Sequence, residues 1–388
     1  MNGQRRRLPW ALMLLGAAMA LFALGMLSQT PNVLQYCVAA PEAGEKGENI
    51  RALETSARKL GDSMKETLAW TALGGSDAKA SVAVGSASEE VNLIAMGRGW
   101  LEVYPRFLKA GRRIGESELE SGARVAMLDE RLAFRFFGTQ LPEDAAVKLN
   151  GVEYRVVGAV RHGGSAFGGR GVGDVTEYDV YVPLLAAVTD GIPMESLTLS
   201  AVPQGGSGAA QLFLESAAQW QAGGQLVNLR KEAMRRTILP RVLLLIVGLY
   251  ALAGLFIRLT RVVTGWFADF RRALENEYFT KLIGRLLGLI GLTLLAYGAL
   301  IGLTYLLLAF SAQPLYVFTE WVPENIVEWS SLAKVFWSLT SEAAGLVRIG
   351  TRELRVVEFW GGLLRWGTIL LLLGAALLPK ARRERKSK

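Results

Sequence analysis

Two stretches of sequence decide the fold of this chain, RVAMLDERLAFRFFG at residues 124–138 and AVKLNGVEYRVVGAV at residues 146–160. The first is an apolar strand followed by Asp129, a residue type that caps the helices it precedes. In the second, apolar and polar residues alternate on both sides of Asn150-Gly151, the pair most typical of a two-residue hairpin turn. A strand, a capped helix and a hairpin in this order predict a folded domain of mixed α+β structure.

The domain around these stretches extends over residues 30–238, a segment too long for a loop. Small and polar residues at 74–88 predict a turn or flexible connection, and six glycines in residues 163–173 predict a mobile loop. The remaining predicted elements are strands at residues 91–96, 178–183 and 197–202, and helices at residues 48–68 and 209–221.

Four apolar stretches have nearly the length, about 20 residues, that a helix needs to cross a bilayer. They are residues 8–27, 242–257, 286–310 and 359–378, and the second extends through Arg241 because arginine can snorkel. Apolar residues make up 51% of the chain and charged residues 20%, a balance between those of soluble and all-membrane proteins. We therefore predict a membrane α-helical protein with four transmembrane helices and a mixed α+β extracytoplasmic domain inserted between the first and second spans.

Positive charge is concentrated in three short segments beside the apolar stretches. Residues 1–7, 258–285 and 380–388 carry net charges of +3, +3 and +5, whereas residues 30–238 carry −3 in a chain of +8. The positive-inside rule places the three basic segments, including both termini, in the cytoplasm and residues 30–238 outside. The basic excess thus predicts topology and contact with membrane lipid, and no nucleic acid is expected as a partner.

These observations divide the chain into seven segments. They are residues 1–29 (cytoplasmic tail and first transmembrane helix), 30–238 (extracytoplasmic domain), 239–258 (second transmembrane helix), 259–285 (cytoplasmic loop), 286–310 (third transmembrane helix), 311–358 (extracytoplasmic loop) and 359–388 (fourth transmembrane helix and basic cytoplasmic tail).

Two features of the spans leave alternatives open. The first span is either an uncleaved anchor or a signal peptide, and its length favours the anchor. Bulky Tyr36 before Cys37 argues against a lipidated cysteine. Arg365, inside the fourth span, is either a snorkelling residue or a functional charge.

No enzyme motif is present in the sequence. It lacks a P-loop, a Gly-x-Ser-x-Gly elbow and a His-Glu-x-x-His motif, so we predict no catalytic residue and no ATP hydrolysis by this chain. A single cysteine and a single histidine, His162, make a His/Cys metal cluster implausible, and His162 is interpreted as an exposed loop residue. No metal-binding or cofactor-binding residue is predicted.

An ordered set of motifs resembles the periplasmic core domain of the MacB/FtsX/LolC-E class of ABC transporter permeases. The resemblance covers about 80 residues, from Val103 to Pro183, and the family's one-span, outer-domain, three-span arrangement matches the count above. From the residues alone, the motif positions are interpreted as scaffold: Gly111 and Gly138 in turns, and Phe134, Phe136 and Phe137 in the core or in a seam between domains. The motif residues are Gly111, Arg112, Leu128, Phe137, Gly138, Asn150, Gly151, Val157 and Gly158.

The resemblance implies the permease subunit of a bacterial plasma-membrane transporter with FtsX-like spans. It implies that a separate cytoplasmic ATPase binds ATP and drives the outer domain, for export of a peptide, lipoprotein or drug-like substrate, and that the permease pairs as a homodimer or with a sister permease. Four spans enclose little on their own, and Gly284/Gly288 and Gly298/Gly302 would allow close helix approach.

The chain departs from the family in its cytoplasmic loop. Residues 258–284 are basic and amphipathic, which fits either a divergent coupling helix that docks on the ATPase or a helix lying on the membrane surface. A second hypothesis follows: a membrane-anchored envelope interaction or sensor module that has lost ATPase coupling. Trp321, Trp329 and Trp337 predict an interfacial aromatic belt. The candidate ATPase-coupling residues are Trp266, Phe267, Phe270, Arg271 and Arg272.

Overall fold

A computed structural model describes residues 2–39, 47–161, 178–194, 196–204, 208–276, 279–317, 330 and 351–386. It divides into two compact units, Met1–Ala233 with Trp337–Lys388, and Met234–Phe336. The predicted glycine-rich loop, His162 and the three tryptophans of the predicted aromatic belt lie outside the described residues.

A mixed sheet of ten strands forms the centre of the first unit, with short helices between the strands. The strands are β1 (Leu34–Ala39), β2 (Leu68–Val84), β3 (Ala87–Met96), β4 (Leu108–Gly111), β5 (Val125–Asp129), β6 (Ala146–Leu149), β7 (Val152–Val160), β8 (Tyr178–Pro183), β9 (Ser196–Pro203) and β10 (Gln225–Asn228). The helices are α1 (Asn2–Ser28), α2 (Gly47–Ser63), α3 (Trp100–Val103), α4 (Glu116–Ser121), α5 (Glu130–Phe137), α6 (Leu184–Thr189) and α7 (Ala209–Trp220).

The strand order places the two ends of the domain's chain at one edge of the sheet. It runs β10-β1-β9-β2-β3-β8-β5-β7-β4, and β6 pairs with both β2 and β7. The pairs β3–β8 and β5–β7 are parallel, and the other pairs are antiparallel. The β4–β7 half of the sheet carries most of the motif residues, whereas the β10–β1 edge is where the long helices attach.

The structure confirms the helix cap and the hairpin turn predicted for residues 124–138 and 146–160. Asp129 caps α5, its carboxylate accepting a hydrogen bond from the Arg131 amide at 2.9 Å. Asn150 and Gly151 adopt φ values of 46° and 90°, as a mirror-image hairpin turn requires. The Asn150 side chain also accepts a hydrogen bond from the Ser81 amide, which ties the turn to β2.

The turn or flexible connection predicted at residues 74–88 is wrong. These residues belong to a long antiparallel hairpin of β2 and β3, with only Gly85 at a positive φ between them. Their small size reflects close packing: a Cβ on Gly74 would lie 2.3 Å from the Trp100 ring, and one on Gly75 would lie 2.2 Å from the Met194 sulfur. Gly74 and Gly75 are thus small because neighbouring side chains need the space, whereas the sequence pattern alone indicates flexibility.

Three other elements differ from prediction. The helix expected at residues 48–68 ends at Ser63, because Leu68 is needed to begin β2. The strands β1 and β10 were not predicted. Each is short, and β1 begins after the five residues that follow α1, where the sequence shows no alternation of apolar and polar residues.

Three long helices complete the described chain. They are α8 (Leu229–Asn276), α9 (Phe279–Val317) and α10 (Arg352–Lys386). Within the described residues, four stretches could cross a membrane by length and composition, and each overlaps one predicted span; they are Leu8–Ser28, Leu229–Leu274, Leu282–Gln313 and Glu353–Leu377. Residues 259–276 of the predicted cytoplasmic loop continue α8 without a break, since no residue there interrupts a helix more strongly than one glycine.

Glycines bring α1 and α10 into close contact. A Cβ on Gly16 would lie 2.6 Å from the Gly367 carbonyl oxygen, and one on Gly374 would lie 2.8 Å from the Pro9 carbonyl oxygen. In contrast, Gly25 and the predicted pairs Gly284/Gly288 and Gly298/Gly302 have no other part of the described chain within 4 Å of their Cβ positions. Arg365 is exposed on α10.

We predict that Gly111→Ala destabilises the protein more than Gly151→Ala does. Both glycines have positive φ, which costs an alanine about 1–2 kcal/mol. Only at Gly111 would the new Cβ also collide, because the Val157 carbonyl oxygen is 2.4 Å away, whereas Gly151 faces open space. Thermal unfolding of both variants in lipid nanodiscs measures the difference, and equal losses would contradict the close approach.

Candidate functional site

The site with the clearest functional geometry is the sheet edge formed by β10 and β1, which we call the base of the sheet. The long helices α1, α8 and α10 attach there. The strand β1 follows α1 after five residues, and β10 runs directly into α8. The two strands pair antiparallel, with Leu34 opposite Asn228, and the Leu229 amide donates to the Val33 carbonyl oxygen at 3.1 Å. The Asn228 side chain then caps α8 by accepting from the Lys231 amide at 3.0 Å.

The third helix, α10, is held to the same strands by a buried polar network centred on Gln35. The Thr351 hydroxyl donates to the Gln35 side-chain oxygen at 2.8 Å, and the same threonine oxygen accepts from the Leu354 amide as a helix cap. The Gln35 amide nitrogen donates to Glu353 at 3.1 Å. We name Gln35, Tyr104, Ser200, Thr351 and Glu353 the base network.

Tyr104 and Ser200 extend the base network into the sheet domain. The Gln35 amide donates to the Tyr104 hydroxyl at 2.7 Å, and that hydroxyl lies 2.9 Å from the Ser200 hydroxyl. Burial, and secondly the charge of Glu353, raise the pKa of Tyr104 well above its usual value. The phenol therefore stays neutral and keeps both a donor and an acceptor for its neighbours.

Apolar packing surrounds the base network. Val33, Leu229 and Leu354 join one buried cluster of the sheet domain, so all three attached chain segments contribute to it. Directly along the helices, a second cluster consists of Ala23, Leu27, Ala233, Val357, Trp360 and Leu364, which come from α1, α8 and α10. Displacing any one of these helix ends would expose apolar surface and break hydrogen bonds whose groups have no access to water.

The arrangement fastens three helices to one edge of the sheet. Among the described residues, no set of three or more histidine, cysteine, aspartate or glutamate side chains could hold a metal ion. Cys37 is a buried thiol in β1, beside the Thr198 hydroxyl.

The motif residues predicted from the sequence lie mainly away from this base, in the β5, β7 and β4 strands. Gly111 pairs with Gly158 where the two backbones approach closely, and Leu128 and Val157 are buried in their strands. Phe136 and Phe137 pack against the core, whereas Phe134 is 62% exposed and does not belong to it. Gly138 ends α5 at a φ of 77°. Arg112 binds Glu118 through two hydrogen bonds of 2.7 Å each, which lower the pKa of that carboxyl to about 2.

The candidate coupling residues all lie on the second half of α8. Phe270 is buried and Trp266, one turn earlier, is half-buried, while Phe267, Arg271 and Arg272 are exposed. The three aromatic residues supply the apolar part of an amphipathic helix surface, and the two arginines form its basic edge. That this surface contacts an ATPase remains a prediction.

Sequence reasoning missed every residue of the base network. The available signal was Gln35, a lone uncharged polar residue in the apolar run LQYCVA, and Thr351, a capping residue type directly before an amphipathic helix. Because Gln35 and Thr351 are 316 residues apart, local pattern could not connect them.

Comparison with known proteins gives one family match. The family model of the MacB-like periplasmic core domain matches residues 11–215, more than half of the chain. No curated protein sequence matches.

Three solved structures are similar to this chain at low identity. The extracellular domain of the noncanonic ABC-type transporter YknZ from Gram-positive bacteria matches at 16% identity and TM-score 0.37, covering 50% of this chain and 100% of that one. The periplasmic region of MacB from Actinobacillus actinomycetemcomitans matches at 20% identity and TM-score 0.38, covering 51% of this chain and 89% of that one. A domain of a putative permease protein from Porphyromonas gingivalis matches at 11% identity and TM-score 0.32, covering 50% of this chain and 85% of that one.

We predict that Gln35→Leu destabilises the protein by about 1–3 kcal/mol for each buried group it leaves without a partner. Thr351→Val should cost less, and the double variant should cost less than the sum, because the two changes remove one shared hydrogen bond. Unfolding of the single and double variants in nanodiscs gives the coupling energy. Exposed Gln221→Leu is the control, and strict additivity of Gln35 with Thr351 would contradict the network.

We predict that Arg112→Lys makes the protein less stable at mildly acidic pH. The paired carboxyl of Glu118 has a lowered pKa, so its contribution is present above pH about 4.5 and is lost as the pH falls toward 2. Lysine makes one contact where arginine makes two, so the variant should be less stable near pH 5 and equal to the parent near pH 2. Unfolding temperatures across this range test it, with the adjacent exposed Arg113→Lys as the matched control.

Proposed function

The chain belongs to the family of the MacB-like periplasmic core domain, among ABC transporter permeases, and on this premise we propose that it transmits motion from a separate cytoplasmic ATPase to its extracytoplasmic domain. It is a membrane protein and a transport subunit. ATP is hydrolysed by the partner, and this chain itself binds no cofactor. The work done on the outer domain extrudes a peptide, lipoprotein or drug-like substrate.

The observation that carries the proposal is the attachment of three helices to one sheet edge. The β1–β10 pair joins α1 to α8, and the base network joins α10 to β1. A movement of these helices is therefore delivered to β1, β9 and β10 together, and through them to the sheet.

Four membrane crossings fit this function. The charge distribution supports cytoplasmic termini and an outer position for residues 30–238, which form the domain between α1 and α8. Among the described residues, five glycines of α9 have no neighbouring group within 4 Å of their Cβ positions, which favours a second permease, identical or related, beside it.

The inner part of α8 is the proposed receiver of force. One continuous helix runs from Leu229 at the sheet to Asn276, so its basic end with Arg271 and Arg272 is linked to the sheet by backbone alone. Trp266, Phe267 and Phe270 supply the apolar part of the same surface, as a divergent coupling helix would.

A second candidate function is a membrane-anchored interaction or sensor module without an ATPase. It is favoured by one observation: residues 259–276 extend a long helix and do not form the separate short helix expected of a coupling segment.

We predict that Arg271→Ala with Arg272→Ala lowers recovery of an ABC ATPase when the full chain is affinity-purified in mild detergent. The two residues are exposed, so the change removes charge without disturbing the fold. The matched control is Arg258→Ala with Arg261→Ala, which removes the same charge from the same helix.

The two candidate functions give different outcomes in this experiment. If the parent chain recovers no ATPase, or if both double variants lose only membrane-surface binding, the sensor function replaces the transport function. Separately, Gln35→Leu should retain the ATPase but lower the ATPase rate of the reconstituted complex, because α10 is no longer held to β1 by the base network.

A further inference from the structure

An open cleft on the sheet domain is not used by the proposed transmission of force. It has a volume of about 870 Å³ and lies between α2, the first residues of β2, and the segments that carry α3 and α4. Cavities of about 300–1,000 Å³ are of the size that holds small ligands.

Most charged side chains on the wall of the cleft neutralise one another. Arg98 contacts Glu116 at 2.9 Å and Glu120 at 3.4 Å, and Arg58 contacts Glu120 at 3.6 Å. On α2 itself, Lys65 pairs with Asp62 at 3.0 Å. These pairs engage three of the four cations that line the cleft, and an anionic ligand would have to displace a carboxylate to reach those three; Arg51 is the fourth.

Glu54 differs from the other acids of the cleft. Its carboxylate lies against Gly97, whose missing side chain leaves the space: a Cβ there would be 2.7 Å from the Glu54 Oε1 atom. It makes no hydrogen bond or ion pair with any residue in the described parts of the chain. Burial, and secondly the charge of Glu120, raise the pKa of Glu54 to about 7, although Arg51 opposes the shift.

The remaining lining residues include both apolar and acidic side chains. Trp70 lines the cleft with about half of its side chain exposed, which offers an aromatic surface to a ligand. Glu102 also lines it, and the lining acids outnumber the lining bases by five to four. Buried charges in proteins are generally paired, so a partly buried carboxylate that makes no ion pair can accept a cationic ligand, here with Arg51 as the nearby opposing charge.

We propose that this cleft binds a small organic cation, an amine carried on an apolar body, with Glu54 as the counter-ion and Trp70 as the apolar wall. The proposal goes beyond the transmission function and does not depend on it, since the ATPase plays no part in binding. The other charged groups facing Glu54 are Arg51 and Arg58 from α2, Arg98, Glu102 from α3, and Glu116 and Glu120 from α4.

The proposal predicts a specific pH dependence. Glu54 must lose its proton to pair with an ammonium group, and its carboxyl is about one-tenth ionised at pH 6 and about nine-tenths ionised at pH 8. An amine that stays protonated over this range should therefore bind about tenfold more tightly at pH 8 than at pH 6.

The test is a ligand-observed NMR titration of the full chain in lipid nanodiscs. The probes are phenethylamine, its uncharged analogue phenethyl alcohol and the anion 3-phenylpropionate, together with the lysine peptide acetyl-Gly-Lys-Gly-amide. We expect binding of phenethylamine with the tenfold pH dependence, weaker binding of the peptide because it lacks an apolar body, and no binding of the alcohol or the anion. Equal binding of the alcohol, or a peptide that binds as well as phenethylamine, would overturn the proposal.

Two variants separate recognition from folding. Glu54→Gln should weaken the binding of phenethylamine at least tenfold and remove the pH dependence of that binding. The exposed control Glu153→Gln should change neither the affinity nor its pH dependence. Glu54→Gln should also raise the unfolding temperature at pH 8 relative to the parent, because the parent carries a buried charge there and the variant does not. Unchanged phenethylamine affinity in a folded Glu54→Gln variant would refute the site and leave the ATPase experiments untouched.

Discussion

Backbone hydrogen bonds between β1 and β10 are the constraint on which the rest of the structure depends. An edge strand has unpaired amide and carbonyl groups, and β1 would be the edge here if β10 did not pair with the side of it that faces away from β9. Because one strand continues from α1 and the other into α8, satisfying these groups also fixes the distance between two helix ends. The buried Gln35 adds α10 to the same point, since its side chain has no other way to satisfy its donors and acceptor.

The two edges of the sheet carry different tasks. At the β4–β7 edge, glycines allow strands to approach closely and the Arg112–Glu118 pair fastens α4, so this part is rigid scaffold. At the β10–β1 edge, polar contacts join elements that are distant in sequence. The binding cleft that we propose lies between helices packed on the sheet, so a ligand there would contact the domain without contacting the base network.

Local chemistry made the centre of the domain predictable. The Asp129 cap, the Asn150-Gly151 turn and the strands around them require only neighbouring residues, and all are present as predicted. The β2–β3 hairpin was missed because Gly74 and Gly75 are small to admit Trp100 and Met194, contacts that no local pattern contains. The base network was missed for the same reason, since the role of Gln35 depends on its hydrogen bonds to Thr351 and Glu353, which are distant in sequence.

The sequence separation within the base network has a consequence for biosynthesis. A ribosome adds more than three hundred residues after Gln35 before Thr351 exists, so most of the domain is made while the side-chain oxygen of this glutamine lacks its Thr351 donor. Until the last helix is inserted beside α1, the glycine surface of α1 and the polar side chain above it are both uncovered. A chain truncated before α10 therefore retains a complete set of strands but displays, at its membrane end, the kind of exposed polar defect by which quality-control proteases distinguish unfinished proteins.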